Sequence, residues 1–378
     1  MDLLDLRKQI DDIDEKMIPL LIDRMKVSEQ VAEYKVKRGL PVLNEQRERE
    51  ILDDVTEKCG EHGSTVSTVF AAMMDASRAL QHKIMGGGHE LREKVNAAVT
   101  EDVLSSNTGA VACAGVYGGN TDMAARALFP DSEIKYCKRF EDVFEAVNKG
   151  ETPFGVIPIE NSTVGSVHET YDLVMRYQFY VLGSYSLEVK HCFCANKNAK
   201  YEDIEKIYSH PQALSQCSKF INDFGFTGVN YSNTAAAAKY VAESGRTDIA
   251  AICPKEAAKK YGLKILKTEI QNISNNRTRF IVISKKLLIE KNADKISLIF
   301  SIPESHKTGS LYRVLGRFSM AGLNLTKLES RPIGNGDFNY YFYVDLMGNI
   351  KDETTIDLLC ALSSELPDFK FLGNYHEY

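Results

Sequence analysis

The sequence lacks the features that mark membrane, secreted and nucleic-acid-binding proteins. No apolar run approaches the length that spans a bilayer, and the first ten residues, MDLLDLRKQI, lack the apolar stretch of a signal peptide. Positive charge is not in excess, since 46 Lys and Arg stand against 52 Asp and Glu. This balance gives no support to a nucleic-acid partner. We therefore expect a cytoplasmic protein that binds neither membranes nor nucleic acid.

Cysteine is present, but not in the paired spacing of a metal site or a redox motif. None of the eight cysteines belongs to a CxxC pair, which favours reduced, buried thiols over disulfides. The string His191-Cys192-Phe193-Cys194 carries metal-ligating side chains, but its alternation favours a strand and no second ligand pair follows. We expect no metal and no other cofactor.

The composition and the length indicate a globular protein of two or three domains. Of the 378 residues, 44% are hydrophobic and 26% are charged, as in proteins with a substantial core. Residues 1–88 have the apolar spacing of three helices, at residues 3–38, 44–59 and 64–85. The first helix would be about 50 Å long, so its far end must be buried on another subunit or domain. Residues 89–109 are predicted to be a linker with a helix at 89–104.

Polar residues recur on faces of these helices that should otherwise be buried. Arg24 and Lys35 are eleven residues apart, almost on one helix face. Arg47 and Glu48 alone fit a solvated face. Taken together, the polar positions of residues 1–85 resemble the all-helical chorismate mutase family. The matching residues are Arg7, Arg24, Lys35, Asn44, Arg47, Glu48, Ser77 and Gln81, with Asn44 at a position where the family often has Asp.

The resemblance implies a role for each of these side chains. The rearrangement of chorismate to prephenate needs no nucleophile, base or metal, only a site that holds a dianion and stabilises charge on the ether oxygen. Family resemblance assigns Arg7, from a partner subunit, and Arg24 to the two carboxylates. It assigns Lys35 and Gln81 to the ether oxygen and Glu48 to the ring hydroxyl. The remaining substrate contacts would be Asn44, Arg47 and Ser77.

From residue 110 to 286, short apolar runs alternate with helical patterns. This alternation predicts an α/β domain with mostly parallel strands. The strands are placed at residues 111–116, 154–159, 179–186, 206–209, 249–252 and 280–284, and one continuous helix is placed at 211–223. Polar strings follow the strands, so their side chains should converge on one cleft.

Two of the polar strings resemble the signatures of prephenate dehydratases. They are PIENS, at residues 158–162, and Thr278-Arg279-Phe280, and a third string, SHPQ at 209–212, also matches. The resemblance implies a two-lobed domain, like periplasmic binding proteins, in which Thr278 positions the leaving hydroxyl. Arg279 either anchors the retained carboxylate or forms an ion pair within the domain. The implied substrate contacts are Asn161, Ser162, Thr163, Ser209, Gln216, Thr234, Arg279 and Phe280, although each polar one alone also fits a turn or a cap.

The turn at residues 115–122 departs from the dehydratase pattern. Its glycines are kept, but Asn120 replaces an aromatic residue and Thr121 replaces Ser. A Thr hydroxyl can replace a Ser hydroxyl, whereas the missing aromatic leaves the shape of the pocket open. A dehydratase that prefers arogenate and a small-molecule sensor without turnover both remain alternatives.

The last segment, residues 295–378, has the order βαββαβ of a ferredoxin-like α+β domain, with a hairpin turn at Gly334-Asn335-Gly336. Two of its strings resemble the phenylalanine-recognition strings of ACT regulatory domains. The implied phenylalanine contacts are Gly309, Ser310, Leu311, Asn324, Glu329, Ser330 and Arg331. The whole chain thus resembles bifunctional chorismate mutase–prephenate dehydratases. The substrates would be chorismate and prephenate, the effector L-phenylalanine, and the assembly a homodimer or a higher homo-oligomer.

Overall fold

The computed structural model describes residues 2–100, 103–106, 109–302, 309–334 and 339–378. The chain divides into two compact units. The first contains Met1–Ala97 and Lys295–Phe371, and the second contains Ala98–Asp294 and Leu372–Tyr378.

The α-helices of the described residues are, in chain order, α1 (Leu3–Arg38), α2 (Glu45–Lys58), α3 (Gly63–Met85), α4 (His89–Ala98), α5 (Val103–Ser106), α6 (Asn120–Leu128), α7 (Phe140–Asn148), α8 (His168–Tyr177), α9 (Pro211–Gln216), α10 (Ser218–Asp223), α11 (Thr234–Ser244), α12 (Lys255–Lys260), α13 (Ser310–Met320) and α14 (Glu353–Glu365).

The strands are β1 (Val99–Thr100), β2 (Val111–Ala114), β3 (Ile134–Cys137), β4 (Phe154–Asn161), β5 (Gly165–Ser166), β6 (Tyr180–Glu188), β7 (Cys192–Ala195), β8 (Lys206–Ser209), β9 (Thr227–Asn230), β10 (Ile249–Cys253), β11 (Lys264–Lys267), β12 (Arg277–Ser284), β13 (Ile289–Glu290), β14 (Lys295–Ser301), β15 (Asn324–Pro332), β16 (Tyr340–Met347) and β17 (Lys370–Glu377). None of the helices in the described ranges is both long and apolar enough to cross a membrane.

The three helices predicted at the N-terminus are confirmed. Helix α1 ends at Gly39, whose φ of +64° suits glycine, and Asn44 caps α2 by accepting a hydrogen bond from the backbone N–H of Arg47. Every residue of α1 from Leu3 to Asp23 is exposed. The exposed residues include large apolar ones, such as Leu4 and Leu20 at 68%, so one chain does not cover this part of the helix.

The helix predicted at residues 89–104 is wrong in its extent. It ends at Ala98, and Val99 and Thr100 form a short strand that pairs with Ile289 and Glu290. Both residues are β-branched, which favours an extended backbone over a helix.

The C-terminal segment has the predicted order, β14-α13-β15-β16-α14-β17, with the strands arranged β15-β16-β14-β17. Two of the three residues of the predicted hairpin turn, Asn335 and Gly336, lie outside the described residues. The last strand runs from Lys370 to Glu377, and its final residues, His376 and Glu377, pair with β6.

The second unit has two lobes, each with its own sheet. The first sheet has the order β17-β6-β12-β4-β2-β3 and the second β11-β7-β10-β8-β9. The expectation of mostly parallel strands is confirmed, with one reversed strand in each sheet: β12 runs antiparallel to both β4 and β6, and β7 runs antiparallel to both β10 and β11. The chain leaves the first lobe after β6 and re-enters it at β12, so the returning strand is inserted against the direction of its neighbours.

Six of the described strands went unpredicted. The strands β1, β5 and β13 have only two residues each, and β3, β9 and β11 have four residues each with polar side chains on their exposed sides. The predicted helix at 211–223 is two helices that meet at Cys217. The strand expected at the His191–Cys194 string is confirmed as β7.

Strand β4 continues through Pro158 to Asn161, two residues beyond its predicted end. Proline cannot donate a hydrogen bond within a sheet and is tolerated at bulges. The pairing with β12 shifts register between Arg279 and Phe280, opposite Pro158. This bulge allows Asn161 to pair with Thr278 at the end of both strands.

Candidate active sites

The first polar cluster lies between α1 and α3. Arg24 Nη1 donates to Ser77 Oγ at 2.7 Å, and Lys35 Nζ donates to Gln81 Oε1 at 3.0 Å and to the carbonyl of Val42. Ser77 and Gln81 are one turn apart on α3 and are 5% and 8% exposed. The predicted face therefore exists, and it presents two cations and two neutral polar side chains that accept hydrogen bonds from them.

Burial lowers the pKa of Lys35, while the charge of Glu48 acts in the opposite direction. An ammonium group that is partly withdrawn from water interacts more strongly with a developing negative charge than an exposed one. The position of Lys35 thus suits the stabilisation of an oxyanion.

Glu48 is held by two guanidinium groups. Its Oε1 lies 3.3 Å from Arg78 Nη1, and its Oε2 lies 3.1 Å from Arg313 Nη2. Both arginines also pair with Asp75, which is 3% exposed. Asp75, Arg78 and Arg313 were missed. The spacing of Asp75 and Arg78 at i and i+3 is a weak signal, and Arg313 is too distant in sequence for any spacing rule.

Three predicted mutase residues do not join this cluster. Arg7 lies on the exposed part of α1, about 25 Å along the helix from Arg24. Asn44 is exposed and serves as the cap of α2. Arg47 is exposed and forms a surface pair with Glu50 at 3.4 Å, as expected for a solvated face.

The second cluster is centred on Asn161 in the second unit. Its Nδ2 donates to Thr278 Oγ1 and to Asn276 Oδ1, both at 2.9 Å. Its Oδ1 accepts from Thr163 Oγ1 at 2.7 Å. Asn161 is 7% exposed and Thr278 9%, so a buried network supports the predicted residues at the ends of β4 and β12.

Gln216 connects this network to the second lobe. Its Nε2 donates to Thr163 Oγ1 at 3.4 Å, and its Oε1 lies 2.9 Å from His191 Nε2. Since Gln216 Oε1 can only accept, the proton of the neutral imidazole lies on His191 Nε2. Burial lowers the pKa of His191, and this favours the neutral ring. His191 and Asn276 were missed, because neither stands in one of the matching strings.

Among the described residues, no hydrogen bond uses the proton of the Thr278 hydroxyl. An amide Nδ2 can only donate, so Thr278 Oγ1 is the acceptor in its bond with Asn161. The hydroxyl proton of Thr278 can therefore be donated to a bound molecule.

Four other predicted residues have structural partners. Ser162 exchanges two hydrogen bonds with the backbone of Arg277, and Ser209 Oγ donates to the carbonyl of Ile252 at 2.6 Å. Arg279 pairs with Glu160 at 3.0 Å and with Glu377 at 3.3 Å, as the ion-pair alternative predicted. Phe280 is 1% exposed in the core of the first lobe. Phe280 therefore packs in the core, and its prediction as a substrate contact is wrong. Thr234 is the first residue of α11 and follows its cap, Asn233.

The altered turn at 115–122 is closely packed. Gly118 has a φ of +77°, and a Cβ there would lie 2.9 Å from Cα of Ala257, in the second lobe. Asp122 is 2% exposed and accepts from the Gly118 N–H at 2.8 Å. The ring of Tyr117 lies 4.5 Å from Lys260 Nζ. Asn120 is the first residue of α6. The aromatic side chain of this turn is that of Tyr117, three positions before the one at which the dehydratase pattern has its aromatic residue.

The predicted phenylalanine contacts lie at the ends of two elements of the first unit. Gly309, with a φ of +81°, caps α13, and Ser310 and Leu311 form its first turn. The others belong to β15. Asn324 is its first residue, and Glu329, Ser330 and Arg331 lie near its end.

Comparison with known proteins agrees with both clusters. The family model "Prephenate dehydratase" matches residues 111–287, and "Chorismate mutase type II" matches residues 6–82. A bifunctional chorismate mutase/prephenate dehydratase of Aquifex aeolicus is 31% identical, over 99% of this chain and 98% of its own. Arogenate dehydratase/prephenate dehydratase 2 of Arabidopsis thaliana is 36% identical, over 73% of this chain and 75% of its own.

A solved structure supports the same assignment. The prephenate dehydratase of Arthrobacter aurescens in complex with L-Phe superposes with a TM-score of 0.65 and 28% identity, over 71% of this chain and 89% of its own. The matched segments contain the two polar clusters, and the bifunctional relative is matched along nearly its whole length. The chain therefore belongs to the family of bifunctional chorismate mutase/prephenate dehydratases.

Proposed function

We propose that the cluster between α1 and α3 rearranges chorismate to prephenate. The observation that carries this assignment is the pair of contacts Arg24–Ser77 and Lys35–Gln81. Arg24 would bind one carboxylate, and Lys35 and Gln81 would donate hydrogen bonds to the ether oxygen as its bond to carbon lengthens. A rigid set of donors stabilises such a transition state without reorganising.

The cleft of the second unit then converts prephenate to phenylpyruvate. In this step the ring C–OH bond and the bond to the ring carboxylate both break, and the electron pair left by carbon dioxide makes the ring aromatic. The departing hydroxyl needs a proton to leave as water. The Thr278 hydroxyl is available as this hydrogen-bond donor because Asn161 already occupies its acceptor site.

Prephenate is the favoured substrate of the cleft, because the mutase of the same chain would produce it. Arogenate remains the alternative, and the Arabidopsis relative carries both names. The two substrates differ at the side chain, where a keto group in prephenate replaces an amino group. A comparison of kcat/KM for prephenate and arogenate decides between them.

Incubation of the purified protein with chorismate alone tests the whole assignment. We expect prephenate to rise first and phenylpyruvate to follow. Prephenate that accumulates without phenylpyruvate would favour a sensor in the α/β part or a preference for arogenate, and added arogenate separates these two. No consumption of chorismate would remove the mutase assignment.

The mutase site is proposed to be shared between two chains. The exposed apolar face of α1 supports a second copy as its cover, because a helix with such a face is not stable in water by itself. Arg7, remote from Arg24 along the same helix, would then enter the site of the partner.

Mixed dimers test this sharing. In a dimer of one Arg7→Ala chain and one Lys35→Ala chain, one of the two sites keeps both residues, so mutase activity should recover to about half of wild type. A dimer of Arg24→Ala and Lys35→Ala chains is the matched control, because both residues act within one chain and no site is intact. Lack of recovery in purified Arg7/Lys35 mixed dimers would argue for a site built within one chain.

The C-terminal βαββαβ segment is proposed to be an ACT domain that binds L-phenylalanine and slows the dehydratase. The start of α13 supports this, since the dipole of a helix favours the carboxylate of an amino acid at its N-terminus. The apolar side chain of Leu311 and the polar one of Asn324 would contact the ring and the amino-acid head. The coupling would be typically about 1 to 3 kcal/mol.

Gly309→Val should weaken phenylalanine binding and relieve the inhibition. The φ of +81° at Gly309 is strained for a β-branched residue, so the first turn of α13 would lose its shape. Calorimetry with L-phenylalanine and dehydratase assays measure the effect. Gly316→Ala, on the same helix and in open space, is the control. Unchanged binding in Gly309→Val would contradict the site.

A further inference from the structure

Helix α13 reaches from the C-terminal segment into the polar surroundings of Glu48. Arg313 Nη2 lies 2.8 Å from Asp75 Oδ1 and 3.1 Å from Glu48 Oε2, and Arg313 Nε lies 3.4 Å from Asp75 Oδ2. The side chains of Asp75 and Glu48 are 4% and 15% exposed. Because these two carboxylates are largely buried, water cannot fully replace the contacts that they make with Arg313. Removal of Arg313 would therefore leave buried negative charge without its partner.

Charged side chains of both signs surround Glu48. Glu48 and Asp75 provide two carboxylates, and Arg78 and Arg313 provide two guanidinium groups. Lys35 on α1 also acts on Glu48 through its charge. Arg78 Nη1 lies 3.3 Å from Glu48 Oε1 and 3.5 Å from Oε2, and Arg313 Nη2 lies 3.1 Å from Oε2. Glu48 is thus held by two arginines, and Oε2 is the oxygen that Arg313 contacts.

We infer that Arg313 is a positioning residue of the mutase, although it belongs to the C-terminal βαββαβ segment. It orients Glu48, which would accept a hydrogen bond from the ring hydroxyl of the substrate. The inference rests on that proposed role of Glu48. The guanidinium suits the task because its planar fork binds Asp75 through two nitrogens and still reaches Glu48.

Loss of Arg313 would leave two carboxylates to compete for Arg78. Asp75 is closer to Arg78 than Glu48 is, so Glu48 would lose most of its support. The ring hydroxyl does not react, so its contact contributes about equally to the bound substrate and to the transition state. The loss should therefore appear mainly in KM for chorismate rather than in kcat.

Arg313→Met is expected to lower mutase kcat/KM by about tenfold to a hundredfold, as for one lost hydrogen bond to a charged group. The double variant Arg313→Met/Asp75→Asn should recover most of this loss, because Arg78 is then free to bind Glu48 alone. General damage to the fold would instead lower the active fraction and leave KM unchanged. Dehydration of prephenate should stay at its wild-type rate in both variants.

Arg92→Met is the matched control. The side chain of Arg92 is 31% exposed and pairs with Glu353 and Asp357 of α14, while that of Arg313 is 33% exposed. Arg92 has no contact with Glu48 among the described residues, so its loss should leave KM for chorismate unchanged.

Wild-type KM in Arg313→Met, or a double variant no better than the single one, would overturn the inference. If the Arg313→Met variant does not fold, the Arg313→Lys variant provides the test of the inference. Its ammonium cannot bind both carboxylates in the same geometry, so a raised KM supports the inference and a wild-type KM overturns it. Glu48→Gln tests the role of Glu48 separately from that of Arg313. An unchanged KM for chorismate in Glu48→Gln would show that Glu48 does not contact the substrate, whatever Arg313 does. A wild-type enzyme without mutase activity removes the proposed function.

Discussion

Lys35→Ala should lower mutase kcat by about two to three orders of magnitude, as is typical for the loss of one fixed donor to a developing oxyanion. Lys35 is the charged member of the pair that would face the ether oxygen, and Gln81 alone cannot replace its charge. The dehydratase should keep nearly its full rate, because its site lies in the other compact unit.

The measurement compares prephenate formed from chorismate with phenylpyruvate formed from prephenate, in the same preparation. Lys26→Ala is the control, because Lys26 is on the same helix and forms only an exposed pair with Asp23 among its described contacts. Equal losses in both reactions would contradict two separate sites.

Thr278→Ala should produce the opposite result, with dehydration reduced by about a hundredfold or more and the mutase spared. The alanine removes the donor to the leaving hydroxyl, a contribution typically worth about 10²–10⁴-fold in rate. It also leaves Asn161 Nδ2 without one of its acceptors, which disturbs the neighbouring network.

Thr278→Ser distinguishes these two effects, since it keeps the hydroxyl while it removes the methyl group. We expect the serine variant to recover most of the dehydratase activity. Wild-type dehydration in Thr278→Ala would exclude a catalytic role for this hydroxyl. It would also strengthen the alternative that the cleft only senses its ligand.

Sequence periodicity predicted α1, α2 and α3 to within about one or two residues, because their apolar spacing is regular and the stop at Gly39 has a local cause. Local rules failed where the pairing partner decided the outcome. Strand β4 continues through Pro158 because its pairing with β12 has a bulge next to the proline, where Ile159 is the extra residue. Val99 and Thr100 leave the helix because β13 is available to pair.

For the candidate sites too, local sequence identified some residues, and contacts between distant segments determined the others. The strings that match the two families contain Lys35, Asn161 and Thr278, whose chemistry can be read from one segment. The residues that orient them come from elsewhere in the chain: Asn276 lies 115 positions from Asn161, and Arg313 lies 265 positions from Glu48. No spacing rule extends over such separations, since only the folded chain brings these groups together.

The chain crosses between the two lobes of the second unit twice, at residues 189–191 and at residues 270–276, and these two crossing segments run side by side. The Val189 N–H donates to the carbonyl of Asn276, and the Ile270 N–H donates to that of His191. Both crossing segments thus contain a member of the network that ends at Thr278. A rotation that opens the cleft must bend these crossing segments and lengthen the 3.4 Å contact between Gln216 and Thr163. If the substrate enters by such a rotation, its admission, the alignment of the Thr278 hydroxyl and the escape of the product would share one hinge, and the speed of that motion would limit turnover.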